Sequence, residues 1–186
     1  MTLRTFALAF TSLTAVVVNV TLAAQAAPQA MPRSEERLVP TASLEPLLPA
    51  PEGWTRTRAG GDRVTVSESC GYSFADATYM KDGMKVRLTL ADTGRNEEGL
   101  GVLATMVISL PEGYVGTVPP ATTVARLTVH GMPAASRWDD KDKEGEFTVL
   151  VGGRFVAKAE GTKVTDLATL RGIVELVDLK RLGELK

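Results

Sequence analysis

The stretch EFTVLVGGRFVAKAE, residues 146–160, decides the fold. Phe147, Val149 and Val151 fall on one side of an extended chain, and Phe155, Ala157 and Ala159 do the same after Gly152-Gly153. Spacing of two is the signature of a strand. A Gly-Gly pair supplies the positive φ that a two-residue hairpin turn requires. Residues 146–160 therefore read as an antiparallel hairpin. Downstream, Thr165 or Asp166 caps a helix whose Leu167, Leu170, Val174 and Val177 form a stripe, extended by Leu179, Leu182 and Leu185.

Working outward in the other direction gives the same class of element. Met84, Val86, Leu88 and Leu90 alternate with Lys85, Arg87 and Thr89, so one face of that strand is packed and the other wet. Lys81-Asp82-Gly83 turns it back onto residues 71–80, and a short β-branched run, 64–69, precedes those. Residues 123–130 and 132–138 read as two further strands with a bend at Gly131 and Pro133. Between the two groups, Asn96 caps a helix with Glu97 and Glu98 in its first turn and Leu100, Leu103, Ala104, Val107 and Ile108 at helical spacing. The order predicts an α+β fold: an antiparallel sheet of about six to seven strands with two packed helices.

The run Pro51-Glu52-Gly53-Trp54, the Tyr79-to-Val86 hairpin, the Val129-His130-Gly131-Met132-Pro133-Ala134 stretch and the hairpin-then-helix ending resemble a poorly characterised group of small secreted bacterial proteins. More loosely they are similar to the PsbP-like α/β/α domains, over about residues 51–182. That resemblance implies an accessory or assembly factor for membrane complexes, and it carries no catalytic residues.

The amino terminus reads as an address. Arg4 precedes a largely apolar run from Phe6 to Leu22, and Ala24-Gln25-Ala26 is a small-x-small cleavage site. Thr11, Ser12, Thr14, Asn19 and Thr21 dilute the run below what a spanning helix wants. The expectation is a cleaved signal peptide at 1–26, a Pro/Ala-rich disordered tether at 27–50 in which Leu44, Leu47 and Leu48 suit one helical turn docked on the domain, and a single domain at 51–186, with no transmembrane anchor after cleavage. Export to the periplasm or the exterior follows from that address.

Composition narrows the chemistry. With 21 basic and 22 acidic residues the formal charge is −1, so no basic footprint for nucleic acid is present. One cysteine allows no internal disulfide, and one histidine cannot build a multi-histidine metal site. No G-x-S-x-G elbow occurs, and Gly152-Gly153 leads into a strand rather than a helix, so it offers no helix amides to a phosphate. Asp140-Lys-Asp-Lys-Glu-Gly145 has acids where a calcium loop wants them, but its twelfth position is Val151 and strands flank it, so it reads as a charged hairpin turn.

Three candidate sites remain. Trp54, Trp138 and Tyr114 lie near element ends, where an aromatic anchors a partner or closes the core. Met80, Met84, His130 and Met132 flank two turns with thioether and imidazole, the donors that suit Cu(I). Cys70 with His130 is the single Cys/His pairing the chain offers a nucleophilic enzyme. The leading expectation is a non-catalytic exported domain, without a cofactor, that binds or helps assemble an envelope partner. Soft-metal handling and Cys-dependent catalysis are the alternatives.

Overall fold

The computed structural model describes residues 38–67, 70–118 and 121–186. The expected signal peptide and the first part of the expected tether lie outside the described residues. The strands are β1 (Thr55–Ser67), β2 (Cys70–Lys81), β3 (Met84–Asp92), β4 (Val115–Val118), β5 (Thr122–Val129), β6 (Met132–Asp139), β7 (Glu144–Val151) and β8 (Phe155–Thr162). The helices are α1 (Thr41–Leu44), continued by a 3-10 turn at Glu45–Leu47, then α2 (Glu97–Ser109), α3 (Leu167–Glu175) and α4 (Leu179–Gly183).

Among the described residues all strands join one antiparallel sheet, in the order β1-β2-β3-β8-β7-β6-β5-β4. It is two meanders joined at one seam. The chain runs β1-β2-β3, leaves through α2, restarts at the far edge with β4, and returns hairpin by hairpin until β8 pairs with β3. Local hairpins need little loop-closure entropy, so most of the sheet assembles from neighbours in sequence.

The α+β class is as expected; the details differ. The sheet has eight strands. The additional one, β4, is four residues long and mostly exposed, so no hydrophobic alternation marks it. β1 starts at Thr55, well before the expected residue 64, because it is an edge strand exposed along nearly its whole length and carries Arg56, Arg58, Gly60 and Gly61 where a buried strand would carry β-branched residues. The carboxy-terminal stripe is two helices, since Asp178 accepts the amide of Arg181 and starts α4 afresh. Asp166 caps α3 through Thr169 N, and Asn96 caps α2 through Glu98 N and Gly99 N.

The tether expectation needs correction from Leu38 onward. Leu38, Val39, Leu44, Leu47 and Leu48 are buried, and 38–50 forms a strap across β1 to β3. Val39 N donates to Asp92, Ser73 Oγ donates to Val39 O, Arg56 donates to Leu48 O and Pro49 O, and the Tyr79 hydroxyl donates to Pro49 O. Dense prolines prevent long regular elements but not burial, and each leucine so covered contributes about 2 kcal/mol.

Alternation sorts the side chains onto two faces. On face A, Ala75, Ala77, Tyr79, Val86, Leu88, Leu90, Phe147, Val149, Phe155, Ala157 and Ala159 pack with the strap, α3 and α4 into the main core. On face B, Ala135, Leu150 and Val156, each adjacent in sequence to a face-A residue, pack under Leu100, Ala104 and Val107 of α2. Gly145 and Gly161 stand opposite each other on β7 and β8. A Cβ at Gly161 would sit 2.5 Å from Leu170 Cδ2, and one at Gly145 would sit 2.7 Å from Trp138 Cε3. The glycine pair is therefore a notch that admits Leu170 of α3 and the Trp138 ring.

Candidate functional site

Helix α2 covers face B at one end of the strands; the rest of that face is a charged groove. Two rungs of directly opposed residues form its floor. Arg87, Glu160, Glu146 and Arg137 stand side by side on β3, β8, β7 and β6. Lys85, Thr162, Glu144 and Asp139 form the next rung toward the β6–β7 turn. With Asp142, Gly145 and Gly161 they line an open cavity of about 380 Å³. Strands lie about 4.8 Å apart, so each rung spans about 14 Å. Along every strand the face then grades from charge to hydrocarbon: Thr89, Lys158, Thr148 and Ala135 lie one rung inward, and Ala91, Val156 and Leu150 lie one further.

The charges are not simply paired across the rungs. Arg87 stands opposite Glu160 but turns to Asp76, at 3.0 Å. Lys158 reaches Glu160 at 3.2 Å, and Thr148 Oγ1 donates to Glu146 at 2.8 Å. Among the described residues, the side chains of Arg137 and Lys85 make no hydrogen bond or ion pair. Glu146 and Glu160, like Asp139 and Glu144, are like charges directly opposed, an arrangement that costs a few tenths of a kcal/mol or more.

The turn beside the groove explains the Asp/Lys run. Asp139 Oδ1 accepts the amides of Lys141 and Asp142, and its Oδ2 accepts from Thr122. Those donors, the Asp142 amide first, hold the Asp139 carboxyl below the usual carboxylate range. Lys143, at φ 55°, folds its ammonium onto Asp140 at 2.7 Å and lowers that carboxyl likewise. The acids stabilise a hairpin turn, and Val151 lies at the far end of β7. Among the described residues no three of His, Cys, Asp and Glu are grouped to hold a metal ion.

The sequence candidates do not converge. Met80 and Met84 flank the β2–β3 turn; His130 and Met132 flank the β5–β6 turn at the opposite end of the sheet, with β8 and β7 lying between. Met84 and Met132 pack against the main core. His130 is exposed at φ 50°, followed by Gly131 at φ 78°, which is what the two-residue turn there requires. The four do not share a coordination sphere. Cys70 begins β2, so its backbone lies at least four strand spacings, roughly 19 Å, from the His130 turn.

Trp54, Trp138 and Tyr114 are likewise spread out. Trp54 leads into edge strand β1 and packs on the core; Tyr114 precedes the opposite edge strand β4 and lies over Gly116; Trp138 fills the glycine notch on face A. Of the three, Trp138 alone bears on the groove, because its neighbours Arg137 and Asp139 line it. Sequence reasoning missed the groove residues themselves. Their signal was present in the polar positions alternating with the core on β3, β7 and β8, but which of those strands are neighbours is not written locally.

Comparison with protein-family models, with curated proteins and with solved structures finds no match to this chain. Among the described residues no helix is long and apolar enough to cross a membrane.

Proposed function

We propose that this chain is an exported, non-catalytic binding domain that holds or helps assemble an envelope partner, and that the charged groove on face B is where the partner docks. The observation that carries the reading is the contrast between the two faces. Face A is roofed by the strap, α3 and α4, whereas face B has a cavity of about 380 Å³ in which Arg137 and Lys85 have no partner of their own among the described residues. Convergent charged groups in a concavity are what a specific polar contact uses. The apolar run and Ala24-Gln25-Ala26 support export.

The test is a pulldown from bacterial envelope extract with the tagged chain, alongside Arg137→Glu, Glu146→Lys and Tyr114→Ala. A partner captured by the parent chain and by Tyr114→Ala, but lost from both charge reversals, supports the reading. Capture indifferent to the groove, or turnover of a small substrate by the purified chain, would overturn it.

A further inference from the structure

We propose that α2 is a hinged cover on face B: it lifts from the sheet while the sheet stays folded, and so extends the charged groove onto an apolar floor of Ala135, Leu150 and Val156.

Three independent features point to this. First, α2 is weakly fastened. Its fully buried apolar side chains on the sheet are the small set Leu100, Ala104 and Val107, with Leu103 and Met106 partly buried beside them, while Val102 and Ile108 are 56% and 48% exposed. Second, its backbone is irregular. Ala104, at φ −134° and ψ 28°, interrupts the helix at mid-length, Gly99 and Gly101 weaken its first half, and Thr105 and Ser109 back-bond to the carbonyls of Gly101 and Thr105. Third, both ends are jointed. Gly94 and Arg95 are consecutive left-handed residues at φ 60° and 64°, set between Thr93, anchored to Arg154 O, and the capping Asn96; Gly113 at φ 73° marks the other end. Segments with few buried apolar contacts and an irregular, exposed backbone open at lower free energy than the core. The inference stands whether or not the groove holds a partner.

Adjacent residues on opposite faces of one strand provide the test. In a Cys70→Ser background, Leu150→Cys places a thiol under α2, and Val149→Cys places one in the main core. Labelling of native protein by a thiol reagent should be about tenfold or more faster at 150 than at 149. Adding Gly101→Ala, where a new methyl meets nothing within 4 Å, should slow labelling at 150 about fivefold and leave 149 unchanged. The pair Val156→Cys and Ala157→Cys on β8 repeats the comparison from residues 1% and 0% exposed, should either β7 variant fold poorly. Equal rates on the two faces mean that only global unfolding exposes them and overturn the proposal. Fast labelling at 150 that Gly101→Ala does not slow overturns it too, since the exposure would then not come from α2.

Discussion

Asp92 and Arg154 form a two-pronged ion pair, with Nε and Nη2 of Arg154 each 2.7 Å from a carboxylate oxygen of a fully buried aspartate. The same carboxylate accepts Val39 N at 2.7 Å and Gly94 N at 2.9 Å. One side chain thus fastens the strap, the β3–β8 seam and the joint before α2. The hydrogen bonds that Arg154 donates to Asp92 raise its pKa further above the ordinary value.

Removing either partner breaks an ion pair at a fully buried carboxylate, which costs about 3–5 kcal/mol for a buried pair. Asp92→Ala should be the more damaging, because it takes the acceptor from the Val39 and Gly94 amides as well as the ion pair from Arg154. Arg154→Met should cost about 3 kcal/mol and keep the strap in place. Urea midpoints measure the first difference; limited proteolysis between residues 38 and 50 measures the second. Equal protease resistance in both variants would show that the strap does not depend on the Asp92 carboxylate.

Tyr79 carries a pH dependence of definite sign. Burial pushes its hydroxyl above the ordinary tyrosine range of about 10, against a smaller opposing effect of the nearby Arg56. The folded state therefore holds this proton more tightly than the unfolded chain does. The contribution is complete below about pH 10, where both states are protonated, and is lost as pH rises from there through the folded value. Stability should fall in that window, and Tyr79→Phe should flatten the fall. At neutral pH the same substitution loses the hydrogen bond to Pro49 O, worth about 1 kcal/mol. Denaturant titrations at pH 7 and above pH 10 separate the two effects.

Asp139 titrates in the opposite sense. Its carboxyl is depressed, so the stability it lends the β6–β7 turn is complete above the ordinary aspartate value of about 3.9 and is lost as pH falls through the lower folded value. The amide resonances of Lys141 and Asp142, which donate to it, should shift together in that acid range. Asp139→Ala should abolish the coupled shift. Independent titration of the two amides would mean that the turn is held by something other than this carboxylate.

How far the residues alone lead can be read from individual elements. The hairpin around Gly152-Gly153 and the alternation from Met84 to Leu90 were plain, because a half-buried strand writes its environment into every second position. β4 and the first half of β1 were not, because edge strands exposed on both sides have no apolar period to display. The strap was hidden by its prolines, although Leu44, Leu47 and Leu48 were visible. The groove was least legible. Arg137, Glu146, Glu160 and Arg87 are neighbours only because β8 pairs back to β3 across the chain, and no local pattern encodes that seam.

Two glycines should respond to alanine in opposite directions. At Gly161 a new Cβ would lie 2.5 Å from Leu170 Cδ2 and 2.9 Å from Val164 Cγ1, both in the packed core, so helix α3 must move or the strand must. Overpacking of this kind costs about 1–3 kcal/mol. Because Leu170 also borders Gly145, its displacement should disturb the Trp138 ring, and the tryptophan emission of Gly161→Ala should change in the folded state. At Gly172, inside α3, a methyl meets nothing within 4 Å. There the substitution restricts the unfolded chain and improves helix propensity, and Gly172→Ala should stabilise by about 0.5–1 kcal/mol. Thermal melts of the two variants against the parent chain test the pair. If Gly161→Ala melts at the parent temperature with unchanged emission, Leu170 does not fill the notch between β7 and β8.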